Sequence, residues 1–323
     1  MAIHAFQPDE VLFSPTMRCN LRCPHCTIEQ QRKTLSVGVA RRFLAECARV
    51  GIKRVGFTGG EPFLALDFPC AITEEALRRN MIFSRIMTNG AWFHTQEELG
   101  SALVRLHNTG YDGSFCVSVD AFHRQDLRKV AHFIRTAVDL WKRPDIVSLA
   151  VVKGARETRT KERLIRLSRL LNARLTRFPH KHASIRKNGL IFIRISYIDL
   201  SPVGKTARLK DPWDGKWFRD DFCRGPGNVF FVLPDGTVKP CCGYGNDAEI
   251  LTIGSITRDT PQQLLRNAKN NRFISAVFSS GFHPIRQALE RSGIRFPGKT
   301  TNHCFFCHYL THAIPERLLR KPG

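Results

Sequence analysis

Three cysteines fall close together near the start of the chain, in the run CNLRCPHC that contains Cys19, Cys23 and Cys26. This C-x3-C-x2-C spacing constrains the chain more than any other feature. Three thiolates on one short loop can wrap one face of a metal centre, because thiolates are the soft ligands of iron–sulfur clusters and zinc. A closed structural zinc site takes four ligands. His25 is available as a fourth, but it lies between Cys23 and Cys26, where reaching the same ion is awkward. Three ligands alone leave one coordination position open, and an open position is where a small molecule binds.

The other cysteines extend the pattern. Cys223, Cys241 and Cys242 form a second group, and Cys304 and Cys307, in CFFC, a third. Cys47, Cys70 and Cys116 stand alone and read as core positions, although Cys116 shares a strand face with Ser118 and Asp120. The chain has 11 cysteines in 323 residues. Met1–Glu10 carries acids and no apolar stretch, which excludes a secretory signal. No apolar run reaches the ~18 residues of a membrane span. The expected location is therefore cytoplasmic, without membrane contact. An odd number of cysteines in a reducing compartment argues for metal or redox chemistry over a disulfide framework.

Strand-like and helix-like stretches alternate through the first 200 residues. Glu10–Pro15, Lys53–Thr58, Ile82–Met87, Ser114–Asp120, Ile146–Val152 and Leu190–Ile198 read as strands. Ser36–Val50, Thr73–Asn80, Thr95–Asn108, Arg124–Trp141 and Thr158–Arg174 read as helices. This alternation predicts an α/β fold, a parallel sheet with helices outside, open or barrel-shaped. In a parallel barrel, chemistry sits at the C-terminal ends of the strands. The cysteine loop, Gly59-Gly60, Thr88-Asn89-Gly90 and Asp120 all fall at such ends. After Pro202 the texture changes to Pro, Gly and short apolar runs. Asn228–Leu233, a Pro234-Asp235-Gly236 turn and Thr237–Lys239 predict a hairpin. Two domains are expected, 1–200 and 201–323, the second a small unit of β-hairpin and helix, with the boundary near 200–222.

CNLRCPHC followed by GFTGGEP at Gly56–Pro62 resembles the radical S-adenosylmethionine (SAM) enzymes. The resemblance covers about residues 9–200 and implies a partial (β/α)6 TIM-like barrel. Cys19, Cys23 and Cys26 would hold three irons of a 4Fe–4S cluster, and the fourth iron would take the amino and carboxylate groups of SAM. Reductive cleavage of SAM would give a 5′-deoxyadenosyl radical that abstracts hydrogen from a substrate, with a donor such as flavodoxin or ferredoxin supplying the electron. Gly59 and Gly60 lack side chains, so backbone can approach a ligand closely. Taken alone they also fit a plain strand-to-helix turn. Carbonyls there, with Glu61, can accept from the ammonium of SAM. Ser118 and Asp120 share a strand face at period two and are placed for the ribose hydroxyls, as is Asn89. A hydrogen bond to its own backbone is the other reading of Ser118. Arg194, polar within an apolar strand, is a candidate anchor for a carboxylate of SAM or substrate, or half of a buried ion pair.

The second half resembles the auxiliary-cluster extensions called SPASM and twitch. The run Cys223–Gly243, closed by Cys304 and Cys307, offers Cys223, Cys241, Cys304 and Cys307 for a second 4Fe–4S cluster. The preceding SPVGK at 201–205 looks like the linker that joins such extensions to the barrel. A full SPASM pattern has more cysteines, so the one-cluster twitch type fits better. A four-thiolate zinc site closing a small lobe remains the other reading. Adjacent side chains on a strand point opposite ways, so one of Cys241 and Cys242 ligates. Spacing favours Cys241. Cys242 is then a small buried hydrophobe or, as in radical epimerases of ribosomal peptides, a hydrogen-atom donor.

The net charge is +22. Its densest stretch is Lys153–Lys187, with twelve Lys/Arg against two acids. Arg159, Arg163 and Arg166 follow helical spacing, with Leu164, Leu167, Leu170 and Leu171 for the inner face. The stretch is a solvated outer face or a docking surface for an acidic partner. Phe178 is its only aromatic, unlike single-strand nucleic-acid binders. The leading expectation is a maturase of a ribosomally made peptide, acting by epimerisation or by crosslink or thioether formation. Against it, Cys19 lies too near the N-terminus for a fused winged-helix recognition domain to precede it. The runner-up resembles twitch dehydrogenases of aminocyclitols or sugars. The molybdopterin cyclase branch lacks its C-terminal Gly-Gly here, since the chain ends Lys321-Pro322-Gly323. An iron–sulfur or zinc nucleic-acid-binding module is a further alternative.

Overall fold

The computed structural model describes residues 5–153, 156–180, 183–188, 190–200, 202–207, 211–219, 222–223 and 227–319. Lys181 of the basic stretch, Ser201 of the linker, 224–226 of the second cysteine run and the C-terminal Lys321-Pro322-Gly323 lie outside the described residues. The elements in chain order are β1 (Glu10–Phe13), α1 (Val37–Arg49), β2 (Arg54–Phe57), α2 (Asp67–Arg78), β3 (Ile82–Thr88), α3 (Gln96–Asn108), β4 (Ser114–Ser118), α4 (Leu127–Trp141), β5 (Val147–Lys153), α5 (Glu157–Leu170), β6 (Arg174–Thr176), β7 (Ser184–Lys187), β8 (Leu190–Asp199), β9 (Gly227–Val232), β10 (Thr237–Cys241), β11 (Gly254–Ser255), α6 (Pro261–Asn270), α7 (Arg272–Ser279), α8 (Phe282–Arg291), α9 (His303–Ala313) and α10 (Glu316–Leu319).

Among the described residues the strands form one sheet, in the order β11-β10-β9-β1-β2-β3-β4-β5-β8-β7-β6. The six strands expected from the alternation are β1 to β5 and β8, paired in parallel as consecutive neighbours. The fold is α/β with a mostly parallel, open sheet of the partial-barrel kind. A seventh parallel strand, β9, lies on the free side of β1. The predicted hairpin, β9 and β10, therefore continues the main sheet.

Strand periodicity divides the side chains. Val11, Phe13, Val55, Phe57, Phe115, Val117, Leu149 and Val151 belong to the main core beneath the helices. Phe115 packs on Phe133 of α4 and on Trp141 at 5.4 and 5.2 Å between ring centroids. Burying each such ring contributes about 1.5–3 kcal/mol. The opposite face carries small residues in register: Cys116 beside Ser148, and Ser118 beside Ala150.

The helix boundaries depart from expectation for local reasons. α2 begins at Asp67, ahead of the expected Thr73, because Pro69 sits in its first turn, where a missing N–H costs nothing. α5 stops at Leu170, short of Arg174, because Asn172 takes a left-handed conformation at φ 52°. Beyond that stop the chain forms β6 and β7, two short charged strands antiparallel to their neighbours. Beyond the hairpin lie helices α6 to α9, the helical part of the expected hairpin-and-helix unit. Thr260 and Gln263 cap α6 reciprocally.

Candidate functional site

The cysteine loop leaves the C-terminal end of β1 and is pinched at its neck. Thr16 bridges to Thr34, and Leu35 N donates to Pro15 O at 2.9 Å. Within the loop, Cys26 N donates to Cys23 O at 3.2 Å, and Leu21 N to Cys19 Sγ at 3.4 Å. The three thiols are half-buried. Burial pushes the Cys23 thiol up to about 12, and Cys26, Cys19 and Asp120 push it the same way. Thiols held up by burial and by neighbouring thiols, as Cys19 and Cys23 are, fit a cationic centre, because metal binding stabilises thiolates.

Among the described residues, the sets of three donors within 4.8 Å of one another are His25–Asp120–His123 and Asp247–His308–His312. Neither cysteine group is such a set. A tetrahedral zinc ion with Zn–S near 2.3 Å would hold its thiolates about 3.8 Å apart. Thiol donors of this kind suit either such an ion or an iron–sulfur cluster.

Gly59 and Gly60 hold this loop. Gly59 has φ +120°, and a Cβ on Gly60 would stand 2.1 Å from Arg18 O. Gly60 N donates to Thr16 O and Glu61 N to Arg18 O, at 2.9 and 2.8 Å. The close approach that these glycines permit is thus to the cysteine loop's own backbone. Glu61 is fully buried. Its carboxylate accepts from Phe63 N at 3.3 Å, Thr88 Oγ1 at 2.9 Å and Asn89 N at 2.8 Å. The Glu61 side chain therefore braces the ends of β2 and β3.

Asn89 reaches the first cysteine. Its Nδ2 donates to Asn20 Oδ1 at 2.8 Å and lies 3.8 Å from Cys19 Sγ, while its Oδ1 accepts from Ala91 N at 2.8 Å. Asn20, which the sequence reading passed over, in turn donates to Ala91 O at 3.1 Å. Its only signal was its place directly after Cys19.

Asp120 is held by the backbone around it. Its Oδ1 accepts from the amides of Phe122 and His123, at 2.8 and 3.1 Å, and its Oδ2 from Val152 N at 3.3 Å. His123 Nδ1 lies 2.9 Å from Oδ2, too oblique for a hydrogen bond but close enough for charge attraction. Burial pushes the Asp120 carboxyl up; His123, His25 and the Phe122 amide outweigh it and hold the carboxyl below the usual range. Backbone amides thus take three of the acceptor sites of Asp120. His25 packs on His123 and Phe122, with centroids 4.6 and 5.0 Å apart. Ser118 is half-buried at the last position of β4.

Arg194 lies at the wrong end of the sheet for SAM. It is exposed and in register with Ser148, the second residue of β5. It lines a cavity of about 450 Å³ with Ser114 and Val147, the first residues of β4 and β5. The cysteine loop is at the opposite strand ends, and the buried ion pair is also absent, since Arg194 is exposed.

The second cysteine set converges from three segments. Burial pushes the Cys307 thiol well up, and Cys241, Cys304 and Cys223 each add to it. Cys241 is buried at the end of β10, and burial lifts its thiol to about 12. Burial also lifts Cys242 to about 12, with Cys241 and then Glu10 of β1 pushing further. Cys307 thus lies in the field of Cys241, Cys304 and Cys223, and Cys242 in that of Cys241, Glu10 and Cys304. Cys47, Cys70 and Cys116 are buried, as expected of core positions.

Residues 13–148 match the radical SAM superfamily, and residues 223–287 match SPASM, an iron–sulfur cluster-binding domain. The chain belongs to the radical SAM superfamily. The SPASM match opens at Cys223 and includes Cys241; Cys304 and Cys307 follow it. Among radical SAM relatives, the chain is 28% identical over 169 residues to PqqA peptide cyclase of Rhodopseudomonas palustris, covering 46% of this chain and 45% of that protein. It is 24% identical over 216 residues to GTP 3′,8-cyclase of Clostridium acetobutylicum, covering 64% and 60%. The chain thus spans about half the length of these curated relatives. Its fold is similar to that of native anSMEcpe with bound AdoMet and Cp18Cys peptide, with a TM-score of 0.57 and 16% identity over 96% of this chain and 97% of that one. No helix among the described residues is long and apolar enough to cross a membrane.

Proposed function

We propose that this radical SAM enzyme is an oxidoreductase that modifies a ribosomally made peptide, with residues 1–200 as its barrel and 201–323 as its auxiliary-cluster domain. The observation that carries this reading is the likeness to PqqA peptide cyclase, taken with a second four-cysteine set in a chain that already holds the first triplet. Cys19, Cys23 and Cys26 would hold one 4Fe–4S cluster; Cys223, Cys241, Cys304 and Cys307 would hold another. With SAM bound, the first cluster supplies a 5′-deoxyadenosyl radical for hydrogen abstraction. The chain's own residues do the positioning. Gly59 and Gly60 seat the cysteine loop, Asn89 supports Cys19, and Ser118 stays available to a ribose hydroxyl. Cys242, beside Glu10, is the candidate to return a hydrogen atom in an epimerisation.

GTP 3′,8-cyclases among the relatives support a second reading, with GTP as substrate. The test supplies the reduced, cluster-loaded enzyme with SAM and either GTP or a precursor peptide with an acidic leader. A modified peptide is expected, read as a mass change for a crosslink or thioether and as deuterium uptake from heavy water for an epimerisation. Turnover of GTP with the peptide untouched contradicts the proposal. In Cys242→Ala, SAM cleavage should continue while epimerised product is lost; loss of both, together with iron, would make Cys242 a ligand.

A further inference from the structure

A third group of ligand-type side chains lies outside both cysteine sites. His308 and His312 are one turn apart on α9, so they share a helix face. Asp247 comes from the segment that follows β10. The donor atoms of the three lie within 4.8 Å of one another, and the two imidazole centroids are 3.9 Å apart. His312 Nδ1 lies 2.8 Å from His308 O. A carbonyl only accepts, so Nδ1 carries the proton. That leaves Nε2, which lies 3.2 Å from Asp247 Oδ2. A bare lone pair facing a carboxylate is repelled by it, and a cation shared between them removes the repulsion. A second proton on His312 would also do so, but it would serve that pair alone. His308 Nδ1 is buried without a hydrogen-bond partner. One divalent ion serves all three side chains. A ring nitrogen anchored to a backbone carbonyl, with the other presented outward, is the usual arrangement of a metal-ligating histidine.

We propose that Asp247, His308 and His312 bind a divalent zinc ion, with water completing the shell. Two imidazoles and a carboxylate are a ligand set that zinc accepts. Zinc–nitrogen bonds of about 2.0–2.1 Å require the three side chains to close in by rotamer shifts. The ion would tie the segment after Cys241 and Cys242 to the helix that carries Cys304 and Cys307, bracing the second cysteine set. That bracing role rests on the auxiliary-cluster reading, whereas zinc binding does not.

The test uses the protein with its iron–sulfur clusters installed, stripped of loose metal by a chelator and then given zinc alone. About one zinc per chain is expected, with zinc-edge X-ray absorption showing nitrogen and oxygen at about 2.0–2.1 Å and no sulfur near 2.3 Å. His312→Ala and Asp247→Ala, both at exposed positions, should each weaken zinc binding at least about 100-fold, the upper end of the loss from an outer-sphere partner, with iron content unchanged. A sulfur shell, no retained zinc, or binding unchanged in both variants overturns the site. Zinc held by nitrogen and oxygen in a chain that takes up only one iron–sulfur cluster supports the site and counts against the auxiliary-cluster reading instead.

Discussion

Glu61 and Asp120 are both buried carboxylates near the cysteine loop, and their surroundings set them apart. Glu61 accepts three hydrogen bonds but has no cation beside it, so burial wins and lifts it to about 7. Asp120 is lifted by burial too, but has two histidines and backbone amides that outweigh it. An acid whose folded value stands above its ordinary one favours folding at low pH. That contribution is present below about 4.5 and is lost as pH rises through about 7, a span worth roughly 3 kcal/mol. Denaturant unfolding between those limits should show wild type losing stability with rising pH relative to Glu61→Gln. Parallel curves would contradict this account. Gly60→Ala places a methyl against Arg18 O, which is backbone and cannot swing aside. It should cost about 1–3 kcal/mol, as overpacking does, and release iron from the first cysteine set. Iron content and a melting curve on the variant check both.

The arginines of α5 do not act as one face. Arg159, Arg166 and Arg169 are exposed. Arg163 turns inward and donates to Gln125 O and Oε1 at 2.8 and 3.1 Å, which ties α5 to the loop after Asp120. Charge reversal at Arg159 and Arg166 should therefore slow capture of an acidic leader peptide and flatten its salt dependence, with fold and iron content intact. Association rates at two ionic strengths decide it; unchanged rates would make the charge a solvated face. Arg163→Ala should instead lower stability by about 1–3 kcal/mol, since Gln125 O and Oε1 lose the donor that Arg163 supplies. Helical spacing placed these arginines in one row, but what Arg163 meets across α4 and α5 is a tertiary fact. The same limit hid β6 and β7, whose few charged residues have neither the length nor the apolar alternation that marks a strand.

At the scale of the whole molecule, the sheet joins the two cysteine sets. The six central strands were legible because each is an apolar run that ends in turn residues, such as Thr88-Asn89-Gly90. Pairing of β9 with β1 was not, because it links residues more than 200 positions apart through contacts that no local pattern encodes. That pairing brings Cys242 near Glu10. Polarity inside an apolar strand drew attention to Arg194 but carried no information about which end of the sheet it faces. The triplet and the Gly-Gly turn were legible because their chemistry is local in sequence, whereas the brace on Glu61 and the hold of Val152 N on Asp120 depend on neighbours from other strands. The central claim is two separate iron–sulfur sites on one continuous sheet, and iron content tests it most directly. Reconstituted wild type should hold about eight irons per chain, and Cys304→Ala/Cys307→Ala about four, with 5′-deoxyadenosine formation retained. About four irons in wild type, unchanged by that double substitution, would contradict it.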